Sequence, residues 1–67
     1  MTAKELEGLI AQVASGERSQ LIIRDADLDG LSGDDERRIG RIVRDFVDKG
    51  CLAWGPRAPA SRTIVHR

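Results

Sequence analysis

Apolar residues mark out the elements of this chain before its composition is considered. Leu6, Leu9, Ile10 and Val13 recur at the spacing of one helix face, and Thr2 with Glu5 forms a T-x-x-E start signal. This predicts a helix over residues 2–15 that ends at Ser15-Gly16, where glycine accepts a left-handed conformation. Gln20-Leu-Ile-Ile-Arg24 is a β-rich run whose three consecutive apolar residues predict a strand covered in part on both faces. From Asp25 to Gly33 no period survives, and Asp, Gly and Ser predict a loop. Ile39, Ile42, Val43, Phe46 and Val47 then form one broad helical face after a Ser32 cap, with Gly50 beyond its last turn. Cys51–Trp54 and Thr63–His66 read as two further strands, joined by a connection too long for a tight hairpin. The expected fold is α+β in the order α-β-α-β-β, with two helices packed on a small three-stranded antiparallel sheet.

Length sharpens this picture. Sixty-seven residues make one small domain, and so short a core supplies only about 3–5 kcal/mol. Cys51 is the single cysteine, so no internal disulfide can staple the fold. A metal or a partner chain is left, and a homodimer is the expectation. No apolar run reaches the ~18 residues of a membrane span, and no charged-then-apolar leader precedes a cleavage site, so a cytoplasmic protein away from membranes is expected.

The net charge of zero conceals a separation. Residues 1–36 carry three basic side chains against nine acids, and residues 37–67 carry eight against two, giving −6 and +6. Such asymmetry points to a nucleic-acid surface or to complementary docking between proteins. Mutual neutralisation within the fold would explain it equally well. On the second helix, Arg37, Arg41 and Arg44 lie opposite the apolar face, with Asp48 on the same stripe. Arg41–Asp45 and Arg44–Asp48 are spaced to pair.

Three segments carry candidate chemistry. Asp25-Ala-Asp-Leu-Asp-Gly-Leu-Ser-Gly-Asp-Asp-Glu36 resembles the twelve-residue calcium loop of the EF-hand family, with acids at positions 1, 3 and 5, glycine at 6 and glutamate at 12. The candidate ligands are Asp25, Asp27, Asp29, the Leu31 carbonyl and Glu36. Position 8 departs from the family, being Ser32, and the entering segment reads as a strand. Turn formation and the preference of acids for a helix N-terminus account for the same residues without a metal.

The C-terminal half, a helix followed by a strand, a basic turn and a second strand, is similar to the back half of winged-helix DNA-binding domains. That resemblance implies a helix in the major groove and a wing on phosphate. Arg37, Arg38, Arg41, Arg44, Arg57 and Arg62 would make the contacts. Acids at the start of the helix, the lack of a visible middle helix between residues 24 and 33, and the zero net charge run against it. Trp54 stands beside Gly55-Pro56-Arg57, and Trp and Arg are the residues most enriched at binding hot spots. A partner site is therefore expected at Arg37, Arg41, Arg44, Trp54, Arg57 and Arg62.

Catalysis finds no constellation. His66 is the only histidine, and no phosphate-binding glycine loop or zinc spacing occurs. The length, the element order and the stretch Ile39–Trp54 resemble small early proteins of transposable temperate phages, including the anti-quorum-sensing type. The resemblance implies a non-catalytic inhibitor of host proteins. The implied targets are the DNA-binding domain of a LuxR-type regulator and the assembly ATPase of type IV pili, with anti-CRISPR proteins as a neighbouring group. It assigns no residue a role. Protein binding is the first expectation from the sequence, and winged-helix DNA binding the alternative.

Overall fold

A computed structural model describes all residues 1–67. Its elements are α1 (Ala3–Ser15), β1 (Gln20–Arg24), α2 (Asp25–Asp29), α3 (Gly33–Asp48), β2 (Leu52–Trp54) and β3 (Ser61–His66). The α+β expectation holds, with one helix more than the sequence pattern announced.

Local chemistry explains most of the boundaries. Thr2 Oγ1 accepts a hydrogen bond from the Glu5 N–H at 3.2 Å and starts α1. Gly16 ends it at φ +86°, donating its N–H to the Val13 carbonyl. Ser32 Oγ caps α3 in the same way, accepting from the Asp35 N–H at 3.2 Å. Asp34, Asp35 and Glu36 then complement the positive end of the α3 dipole.

The loop expected over residues 25–33 is corrected for its first five residues. They form α2, whose third residue, Asp27, accepts the Arg24 N–H through Oδ2 at 3.1 Å. A five-residue helix is unstable alone, since isolated helices need on the order of 12–15 residues. Leu28 and Leu31 supply the missing stabilisation by packing against the core. The physical cause is tertiary, which is why the local composition reads as loop.

The sheet runs in the order β1-β3-β2, antiparallel throughout, with Leu21 and Trp54 both opposite Ile64. Side chains alternate between its faces. Leu21, Ile23, Leu52 and Ile64 point to the side on which Leu6, Ile10 and Val13 of α1 and Ile39 and Val43 of α3 complete one core. These nine side chains are the only buried residues, and all are apolar. Truncating one of them, Ile10→Ala for instance, costs about 2–5 kcal/mol, comparable with the whole stability of so small a domain.

The two faces of β1, both expected to be covered in part, are covered unequally. Its burial alternates strictly, and Ile22, opposite Thr63 on the other face, remains 48% exposed. No helix is long and apolar enough to cross a membrane.

The connection between β2 and β3 approaches the helices at its far end. Ala60 adopts φ +59°, and its carbonyl accepts the N–H of Asp25 at 2.9 Å. Gly55 lies so close to β3 that an added Cβ would meet Thr63 Cβ at 3.1 Å, while its N–H donates to the Thr63 carbonyl at 2.8 Å. This close approach holds the start of the connection against β3.

Candidate functional site

The arginines expected to bind a partner divide into two groups. Arg37, Arg41 and Arg44 are exposed on α3, and their spacing of four and three residues aligns them on the face turned away from Ile39 and Val43. Arg57 lies in the β2–β3 connection and Arg62 on β3, both exposed. Arg38 belongs elsewhere. It turns toward α1, with Nε 2.7 Å from Glu7 Oε1 and Nη2 3.4 Å from Oε2.

Arg38–Glu7 is the one ion pair within 4.0 Å, so Arg41–Asp45 and Arg44–Asp48 are not closed. Mutual neutralisation of the acidic and basic halves of the sequence is realised by direct contact at a single point. The other arginines keep their charge free for solvent or a partner.

Trp54 lies with the second group. It ends β2, is 51% exposed and borders two depressions that meet at its ring and at Arg62. The first, of about 410 Å³, is walled by Trp54, Gly55, Pro56, Arg57, Arg62 and Thr63. The second, of about 200 Å³, lies between α3 and the sheet over Ile23, Leu28, Ile39 and Val43, with Glu36, Gly40, Trp54 and Arg62 at its edges. Gly40 opens this groove because it places no side chain in it, and a Cβ there would meet nothing within 4 Å.

Neither Gly40 nor Leu28 was singled out from the sequence. The three-residue offset of Leu28 and Leu31 was the available signal for a packed turn. Nothing local marks Gly40, since its meaning depends on Trp54 fourteen residues away.

The candidate calcium ligands are spread over different elements. Asp25, Asp27 and Asp29 sit on α2, where successive side chains turn about 100° apart. Leu31 lies in the turn before α3, and Glu36 in the first turn of α3. No group of three or more Asp, Glu, His or Cys side chains is gathered to hold a metal ion.

His66 and Cys51, the residues with the most chemical potential, are tied into the framework. His66 Nδ1 is 2.9 Å from the Val13 carbonyl. Half-buried Cys51 donates its N–H to the Phe46 carbonyl, and its own carbonyl accepts the N–H of Arg67. Arg37, Arg41 and Arg44 thus form one exposed row, and Arg57 and Arg62 line a depression with Trp54. Compared with family models, with curated proteins and with solved structures, the chain gives no match.

Proposed function

We propose that this chain is a non-catalytic binding module that docks duplex nucleic acid through the outer face of α3 and the β2–β3 connection. The observation that carries the reading is the unpaired arginine row of Arg37, Arg41 and Arg44 on α3, the position a recognition helix would take in a helix-turn-helix unit. α2 and α3 are joined by only three residues, Gly30 to Ser32, a length that suits such a unit. With α2 present, the order α1–β1–α2–α3–β2–β3 and the central place of β3 resemble the winged-helix layout along the whole chain. In that arrangement α3 approaches a groove, and Arg57 and Arg62 on the wing approach phosphate.

A fluorescence titration with random duplex DNA at two salt concentrations tests this. If the five free arginines reach phosphates, log affinity falls against log salt with a slope of about −4 to −5. Absence of binding down to low salt overturns the proposal.

A second reading keeps the surface and changes the partner. Asp34, Asp35 and Glu36 occupy the leading turn of α3, where they repel phosphate but complement a basic protein surface. Together with half-exposed Trp54, they favour binding to another protein. A small phage-type inhibitor of a host regulator is its concrete form, with a LuxR-type DNA-binding domain or a type IV pilus ATPase as target. A pull-down from a bacterial lysate that recovers such a protein in place of nucleic acid decides for it.

A further inference from the structure

Beyond the arginine row, the depression beside Trp54 has the make-up of a site for one unpaired nucleotide. Its elements are an aromatic face that is half exposed, two guanidinium groups without carboxylate partners, and a volume of about 410 Å³. Trp54 opposes Ile64 in the sheet, which anchors its backbone, and the Gly55–Thr63 contact fixes the chain immediately after it. The Trp54 backbone is therefore fixed at the strand end, so a stacking platform there has only its own side chain to order on binding. Arg57 and Arg62 line the same depression, so a base lying on the indole would bring its phosphate among cationic groups. The adjoining groove toward Gly40 leads from this depression to α3, whose outer face carries Arg37, Arg41 and Arg44.

We infer that Trp54, Arg57 and Arg62 capture an unpaired nucleotide at the end of, or extruded from, the duplex that α3 engages. This inference rests on the nucleic-acid reading above and adds a preference for a junction between paired and unpaired strands. A continuous duplex offers no free base face at the wing. A duplex with a single-stranded end does.

The test compares a short blunt duplex with the same duplex carrying a thymidine overhang, using labelled-DNA anisotropy and the emission of Trp54. That emission is unambiguous, because the chain has one tryptophan and no tyrosine. The overhang is expected to tighten binding by about 5- to 150-fold, as stacking of one base on an aromatic ring does, and to quench the tryptophan more than the blunt duplex. Trp54→Ala, checked for native far-UV circular dichroism, is expected to lose that preference, so that its affinities for the overhang and the blunt duplex become equal. Arg57→Ala is expected to reduce the preference in part. Equal affinity of the native protein for both duplexes overturns the site and leaves the duplex reading intact. A preference that survives in Trp54→Ala also overturns it. Failure to bind either DNA overturns both.

Discussion

His66 Nδ1 lies 2.9 Å from the main-chain carbonyl of Val13, fastening the end of β3 to the end of α1 across 53 positions of sequence. A carbonyl carries no proton, so Nδ1 is the donor. The same carbonyl accepts the Gly16 N–H at 3.2 Å. The ring covers Gly16, where an added Cβ would stand 3.4 Å from it at a φ of +86°. One histidine thereby brings a second donor to a carbonyl in the last turn of α1, from the far end of the sheet. His66→Ala is expected to cost about 0.5–1.5 kcal/mol, lowering the melting temperature of a domain this small by several degrees. Thermal unfolding followed by circular dichroism measures it, and an unchanged midpoint would show that the contact contributes nothing.

Ala60 holds a left-handed conformation at φ +59°, which costs a residue with a Cβ roughly 1–2 kcal/mol. Glycine removes the strain but gains freedom in the unfolded chain, at a cost of about 0.4–1 kcal/mol. Ala60→Gly is therefore expected to stabilise the protein by up to about 1 kcal/mol, read from a urea midpoint at constant slope. The Asp25 N–H bond to the Ala60 carbonyl is retained in the variant, because it involves no side chain.

Replacing Arg37, Arg41 or Arg44 singly by alanine is expected to weaken duplex binding across all sequences and to reduce the salt slope by about one unit each. The acids next to them supply the opposite control. Asp34→Asn with Glu36→Gln removes two negative charges from the leading turn of α3 and is expected to tighten duplex binding. A protein partner with a basic surface would instead be lost. The sign of that change separates the two functional readings.

Calcium is expected to leave the melting temperature unchanged at millimolar concentration relative to chelator. A ligand held only by the folded state must raise the midpoint, and the acids of residues 25–36 are divided between two helices. A rise of several degrees would show that the loop binds calcium.

Nine buried residues are a small core, and Ile22 stands half exposed on the face of the sheet opposite the helices. A homodimer is the expected solution state, with sedimentation at tens of micromolar giving twice the chain mass. Ile22→Lys is expected to shift it toward monomer. A stable monomer at that concentration would show that the single core suffices.

The strands, the two longer helices and their caps were legible because each depends on neighbours in sequence. Thr2 and Ser32 reach an N–H three residues on, and Ile39 and Val43 share a face through helical geometry alone. Leu28 was not legible as part of a helix, since so short a helix as α2 draws its stability from Leu28 and Leu31 meeting a core built by other elements. The strand run Leu21-Ile-Ile23 misled for a related reason. An apolar residue at the middle position reads as one with a layer packed over it, yet Ile22 stays half exposed because the helices pack on the other face of the sheet.

Of the candidate site, the sequence by itself determined the residue types and the helical spacing of Arg37, Arg41 and Arg44, as well as the excess of positive charge after residue 36. Tertiary structure alone decided which arginines stay free. Packing of α1 on α3 brings Glu7 to Arg38, whereas the outer face of α3 meets no acid at pairing distance. It also decided that Trp54 and Arg62, eight residues apart, border both depressions, because β2 and β3 pair antiparallel beside α3. Periodicity acts through the nearest turn or strand neighbour and is written locally. A groove depends on which elements cover which faces, and no local pattern carries that.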